Sequence, residues 1–131
     1  MTASKYSKRD KKNIFNNLLA TAVVSIAKAD WGLFRFIEIK SQRTIKEFVC
    51  ANKNQVVLNR RVVNTELISS RGQQSKIKTV GEFSIIPTSD REMTVQCFLV
   101  FPRAESSSSD ELSTVQAIVD QAQLFYKYLF A

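Results

Sequence analysis

The sequence predicts an α+β fold in which helices at both ends of one domain pack on an antiparallel sheet, and three observations support this class. Apolar residues recur at three- and four-residue spacing over 14–26 and again over 112–129, which is the period of an amphipathic helix. Between them, residues 33–101 are rich in Phe, Ile and Val and alternate apolar with polar side chains, as strands do. A length of 131 residues suits a single domain, 1–131, with one core.

The first element is a basic tail over residues 1–12 that leads into a helix predicted over 12–30. The tail holds five lysine and arginine residues against a single acidic one, Asp10. Ser7 and Asp10 have the spacing of a capping box, and Gly32 suits a C-terminal cap. The charge of the tail fits either a solvated segment or an arm that contacts phosphate, and both interpretations stay open.

The strands follow as a hairpin and a meander. Residues 33–40 and 44–50 predict the hairpin, and residues 55–69 predict a further strand that bends near its middle. Residues 76–86 and 92–101 predict two more strands. Together they predict a hairpin followed by a meander of about five antiparallel strands.

The C-terminal helix is predicted over residues 108–130, after a serine-rich loop. Ser108 and Glu111 have capping-box spacing at its start. Its apolar stripe is wide for one small sheet that must also receive the N-terminal helix, so we expect part of it to contact a second subunit. The predicted dimer-interface residues are Leu112, Val115, Val119, Phe125 and Leu129.

The composition of the chain favours a polyanionic partner and disfavours catalysis. A net charge of +7 and a pI near 9.7 favour a polyanionic partner. The absence of histidine removes the usual general base, the common nucleophile pairs and the commonest zinc ligand. We therefore predict that the protein is not an enzyme and has no metal, cofactor, small-molecule substrate or membrane segment. Cys50 and Cys97 lie in strand-like runs, which favours two buried free thiols and leaves a disulfide open.

Three segments carry a resemblance to a known family. Residues 65–83 pair two strands through a turn rich in Ser and Gln, with a basic residue opening the second strand. Residues 92–102 are the alternating strand, and residues 108–124 are the acidic-capped helix that follows it. In this order and spacing they resemble the coat proteins of the small single-stranded RNA bacteriophages, the leviviruses. The chain departs from that family in the basic tail and helix that precede its hairpin.

The resemblance implies a viral capsid subunit. Its homodimers would interlock through the C-terminal helices and assemble into an icosahedral shell around single-stranded genomic RNA. Such a protein would occur in the virion and, during assembly, in the cytoplasm of the host bacterium. The RNA would bind on the inward face of the sheet.

The RNA-binding residues are predicted on the strands that match those of the family. The matching positions are Thr65, Lys76, Lys78, Thr94 and Gln96. Side chains alternate between the two faces of a strand, and this alternation puts all of these residues except Thr65 on the face opposite the apolar side chains of their strands. Arg60 and Arg61 are predicted to add positive charge, and a bend there leaves open which of them points inward. For each position the alternative is a solvated side chain on an amphipathic strand.

Two other functions stay open at the level of sequence. One is a small non-viral module that binds single-stranded nucleic acid, which would normally expose aromatic rings for base stacking. The other is a dimeric protein-interaction domain, in which the basic charge is incidental.

Overall fold

Helices begin and end the described chain. The computed structural model describes residues 7–51, 63–72, 78–80, 83–102 and 109–130. The helices are α1 (Lys8–Ala20), α2 (Asn64–Ser69) and α3 (Ser109–Leu129). Helix α1 continues into a π-helical segment (Thr21–Ile26), and α2 continues into a 3₁₀ turn (Ser70–Gly72). Within these ranges no helix combines the length and apolar character that a membrane span needs.

One antiparallel sheet lies between the terminal helices. Its strands are β1 (Trp31–Glu38), β2 (Arg43–Ala51), β3 (Lys78–Val80), β4 (Phe83–Pro87) and β5 (Val95–Pro102). Their order is β2-β1-β5-β4-β3, and every neighbouring pair is antiparallel. The predicted α+β class, with an antiparallel sheet and helices at both ends, is confirmed. In the described ranges the meander after the hairpin consists of β4 and β5, with the three-residue β3 at the edge.

The ends of the first helix are set by local hydrogen bonds. The Ser7 hydroxyl accepts from the Asp10 backbone N–H at 3.1 Å, and the Asp10 carboxylate accepts from the Ser7 N–H at 3.4 Å, so the predicted capping box is present. After the π-helical segment, Lys28 adopts the left-handed conformation with φ of 54°. That residue ends the helix, whereas Gly32 was predicted to do so.

One face of the sheet receives α1, the π-helical segment and α3. An aromatic cluster joins the three layers there: Phe15 of α1 stacks on Phe48 of β2 at 4.8 Å and meets Phe36 of β1 edge-on at 5.5 Å. Phe36 in turn stacks on Tyr126 of α3 at 4.7 Å. The principal core therefore lies between the helices and the sheet, and α1 is an integral part of it.

The opposite face of the sheet forms a second apolar cluster beneath α2. Leu67 of α2 is fully buried against side chains of β1, β4 and β5. Asn64, at the start of α2, accepts from Arg35 Nη1 at 3.1 Å and donates to the Thr44 hydroxyl at 2.9 Å. These bonds fix α2 over this face because each one joins the helix to the β1–β2 hairpin.

Two of the predicted strands are wrong where the structure describes them. The strand predicted over residues 55–69 is helix α2 over Asn64–Ser69, and its residues 55–62 lie outside the described ranges. Residues 76–86 were predicted as one strand, but β3 and β4 are separate and pair antiparallel, with Val80 opposite Phe83. The last strand begins at Val95 rather than at residue 92.

Gly32 is required by close packing between β1 and the π-helical segment. A Cβ atom at this position would overlap the Val23 Cγ2 methyl and lie 3.2 Å from the Val100 carbonyl oxygen. Val23 is fully buried and has no room to move aside. The glycine lets the helical layer approach the sheet backbone.

Replacing Gly32 is therefore expected to destabilise the protein. We expect Gly32→Ala to lower the free energy of unfolding by about 1–3 kcal/mol, as overpacking does elsewhere. Urea denaturation measures the change. Val23→Ala in the Gly32→Ala background should recover part of the loss, and an unchanged midpoint in the single variant would contradict this packing.

Candidate nucleic-acid interface

On the sheet face predicted to meet RNA, Leu67 and Ile68 of α2 pack against a cluster of apolar side chains. Besides Leu67, the cluster consists of Trp31, Leu33, Ile37, Ile85, Phe98 and Val100, all buried. Trp31 meets Phe83 edge-on at 5.5 Å. This part of the face is a second core rather than an open polar surface.

Gln96 lies on this face and is used inside the chain. It is 1% exposed, and its side-chain amide donates to the backbone oxygens of Arg91 at 2.8 Å and Met93 at 3.0 Å. Its side-chain oxygen lies 3.5 Å from Arg71 Nη1. Gln96 therefore holds the turn before β5 and fixes the 3₁₀ turn after α2. Thr94, two residues earlier, is exposed.

The other predicted RNA contacts are dispersed. Thr65 is exposed on α2. Lys78 pairs opposite Ile85, which pairs opposite Val100, so Lys78 is two strands away from Gln96 and four residues along. At about 3.3 Å per residue and 4.8 Å between strands, that separation is roughly 16 Å. Lys76, Arg60 and Arg61 lie outside the described residues.

The predicted dimer-interface residues line the inner side of α3. Val115 and Val119 are buried in the chain's own core, where they pack between the helices and the sheet. Phe125 and Leu129 are partly buried and pack against the same core, and Leu112 is half-buried. In the single chain α3 thus rests on its own sheet.

A basic cleft lies where the first turn of α1, strand β2 and the end of α3 meet. It has a volume of about 610 Å³. We call it the lysine cleft, and its residues are Lys8, Lys11, Lys12, Lys46, Glu47, Phe48 and Phe130. Four lysines thus line the cleft with two phenylalanines and with Glu47, whose side chain points to the face of β2 opposite that of Lys46 and Phe48.

Phe130 brings two of these lysines together. The Lys46 Nζ lies 4.4 Å from the centroid of the Phe130 ring, and the Lys11 Nζ lies 5.2 Å from it. Each such cation–π contact contributes about 0.5–1 kcal/mol at an exposed site. Phe130 directly follows α3, and a helix C-terminus carries partial negative charge. The ring and the helix end therefore offset the mutual repulsion of the ammonium groups.

Glu47, the acidic residue of the cleft, forms an ion pair with a residue outside the cleft. Glu47 Oε2 lies 2.6 Å from Arg35 Nε, and Arg35 is nearly fully buried. The carboxylate therefore neutralises a buried guanidinium beneath the sheet edge. The net charge left facing the cleft is positive, which suits a polyanion whose phosphates neutralise lysines.

Only part of this cleft was predictable from the sequence. Residues 1–12 were predicted as a basic tail, either solvated or in contact with phosphate. Lys46 and Phe130 were missed because they come from elements that are distant in the sequence and are joined only by the fold. The sequence feature that could have identified Phe130 is the apolar stripe of the last helix, which continues to this residue beyond Leu129.

A second cleft, of about 380 Å³, has a different character. Within it, Asp120 of α3 accepts from the Ser89 N–H at 2.7 Å, the Ser89 hydroxyl at 2.9 Å and the Gln116 amide at 3.1 Å. The two Ser89 bonds, together with the bond that the Gln116 amide donates to the Pro87 carbonyl at 2.9 Å, hold the β4–β5 connection against α3. Burial, and secondarily the charge of Asp120, raises the pKa of the Cys97 thiol well above its ordinary value.

Neither cysteine is bonded, and the described residues hold no metal-binding group. Cys50 and Cys97 are free thiols on strands that flank β1. No group of three or more potential ligands among His, Cys, Asp and Glu occurs in the described ranges. Comparisons with models of known protein families and with curated proteins found no match.

Proposed function

We propose that this protein is a coat subunit that binds single-stranded RNA and assembles into a shell, and that it is not an enzyme. The observation that carries the proposal is the lysine cleft. It concentrates four lysines of a chain whose net charge is +7. Concentrated positive charge on a folded rim attracts polyanions and gives binding that depends on salt.

The capsid part of the proposal rests on the order of the last strands and helix. Strand β5 and the acidic start of α3 follow one another as in two of the three segments that resemble levivirus coat proteins. The first segment, residues 65–83, begins in helix α2, where the resemblance implied a strand. The chain would then act in the virion and, during assembly, in the cytoplasm of the host bacterium. Its partners are RNA and further copies of itself.

The subunits of this shell are interlocked homodimers. In the dimer α3 crosses to the partner's sheet and makes there the contacts that it makes on its own sheet in the single chain, as in other exchanges of an identical element. Val115 and Val119, which are buried in the described chain, become the centre of the interface. Phe125 and Leu129 pack around them.

RNA contacts begin at the lysine cleft in this proposal. Lys78 and the exposed Thr65 and Thr94 stay a second surface for RNA, which the RNA strand reaches from the cleft around the sheet edge, while the buried Gln96 holds the turn before β5. Lys76, Arg60 and Arg61 contribute charge to that surface.

Assembly with RNA is the expected behaviour of the recombinant protein. Expressed in a bacterium and purified in mild salt, it should elute from gel filtration as particles whose ratio of absorbance at 260 and 280 nm indicates nucleic acid. Electron microscopy should show closed shells. A monodisperse monomer or dimer free of nucleic acid would contradict the proposal, and RNA-bound dimers without shells would indicate a non-viral nucleic-acid-binding module.

A further inference from the structure

The lysine cleft presents groups that suit phosphate and few that would recognise a base. Its described lining is four lysines, one glutamate and two phenylalanines. The glutamate, Glu47, is paired with Arg35 at 2.6 Å. Adenine and cytosine are usually distinguished by amide or carboxylate side chains, and guanine by arginine or lysine. This lining offers only ammonium groups for new contacts, so it has no group that would select adenine, cytosine or uracil.

The two rings of the cleft are already engaged. Phe48 is 9% exposed and stacks on Phe15 at 4.8 Å. Phe130 lies 5.7 Å from Phe15 and carries the Lys11 and Lys46 ammonium groups over its ring. A base stacked on Phe130 would have to displace those ammonium groups. A phosphate, in contrast, binds to them where they are.

We infer that the lysine cleft binds the sugar–phosphate backbone of single-stranded RNA without regard to base identity. Phe130 acts as a positioning residue that holds Lys11 and Lys46 toward one phosphate. This inference rests on the proposed function, since it names the part of the RNA that the cleft contacts. A volume of about 610 Å³ is within the range of ligand clefts in proteins.

The experiment uses the full chain and three labelled strands of equal length. These are oligo(U), oligo(A) and a strand with the same sugar–phosphate backbone that lacks bases. Fluorescence anisotropy at several salt concentrations gives the dissociation constants and their salt dependence. We expect the three strands to bind within about threefold of one another, whereas base stacking would separate them much further.

Substitutions then assign the binding to the cleft. Lys11→Ala and Lys46→Ala should each reduce the slope of log K against log salt by about 0.7, the value for one phosphate contact on a single strand. Lys127→Ala is the matched control, because Lys127 is exposed and lies on the other cleft. Phe130→Leu should weaken all three strands by the same factor, and Phe130→Tyr should restore the binding. Circular dichroism confirms that each variant is folded.

The outcomes separate this inference from the proposed function. Much weaker binding of the strand without bases, or a Phe130→Leu loss confined to oligo(A), would overturn base-independent recognition. If Lys11→Ala and Lys46→Ala behave like the Lys127→Ala control while RNA still binds, the cleft is not the site and this inference fails, whereas RNA binding by the protein is retained. If the unaltered chain binds none of the strands at low salt, the proposed function itself fails.

Discussion

Phe15→Ala is expected to lower the free energy of unfolding by about 3–5 kcal/mol, the range for removing a buried phenylalanine. Phe15 is 0% exposed, and its ring contacts Phe36, Phe48 and Phe130. Its loss opens a cavity between α1, the sheet and the end of α3. The same cavity removes the support beneath Phe48 and Phe130, so RNA affinity at the lysine cleft should fall as well.

Chemical denaturation measures this effect directly. Val24→Ala is the control, since Val24 lies in the π-helical segment that follows α1 and is 55% exposed. A change at such a surface position usually stays within about 0.5 kcal/mol. If Phe15→Ala were no less stable than Val24→Ala, α1 would not be part of the core.

Glu47→Gln is expected to move stability and RNA binding in opposite directions. The substitution removes the charge opposite Arg35, whose side chain is 8% exposed, while that of Glu47 is 24% exposed. Breaking a buried pair by removing one partner costs about 3–5 kcal/mol. We expect about 3 kcal/mol, the lower end of that range, because Glu47 partly reaches solvent.

RNA affinity should rise in the same variant because the loss of the Glu47 charge leaves the Arg35 charge uncompensated at the sheet edge beside the lysine cleft. Chemical denaturation gives the free energy of unfolding, and fluorescence anisotropy on the same preparation gives the dissociation constant for RNA. The double variant Arg35→Met/Glu47→Leu is the control, since replacing both charges by apolar groups of similar volume is often neutral. If the free energy of unfolding and the RNA affinity both fell in Glu47→Gln, the negative charge of Glu47 would not weaken RNA binding at the cleft.

The periodic elements of this fold were predictable from the sequence, and the aperiodic ones were not. Helices α1 and α3 carry long apolar stripes, and the hairpin strands carry runs of Phe and Ile. Helix α2 has six residues and one fully buried side chain, Leu67, which leaves no period to detect. The β-branched residues that precede it favoured extending the predicted strand through residues 64–69, where the packing of Leu67 accompanies a helix instead.

The split between β3 and β4 shows a similar limit. Alternation over residues 76–86 fits one long strand as well as two short ones. Val80 pairs opposite Phe83. Residues paired across two strands point to the same face of a sheet, whereas residues 80 and 83 of one continuous strand would point to opposite faces. Lys78 and Gln96 were predicted on one RNA-binding face, whereas strand β4 lies between the strands that carry them.

The candidate site was harder to predict than the fold. Alternation identified Gln96 as polar on an apolar strand, but it cannot distinguish a polar side chain that faces solvent from one whose hydrogen bonds are satisfied inside. Gln96 is of the second kind, since two backbone oxygens accept from its amide. Residues 8–12 were recognisable as a run of charge, whereas their meeting with Lys46 over Phe130 depends on three elements packing together.

Lysine footprinting on the RNA-bound protein tests the central claim most directly. An amine-reactive label and mass spectrometry report how strongly RNA protects each lysine. We expect protection of Lys8, Lys11, Lys12 and Lys46, with Lys40 and Lys127 labelled equally in the presence and absence of RNA. Protection confined to Lys76 and Lys78, or equal labelling of all lysines with and without RNA, would contradict RNA binding at the lysine cleft.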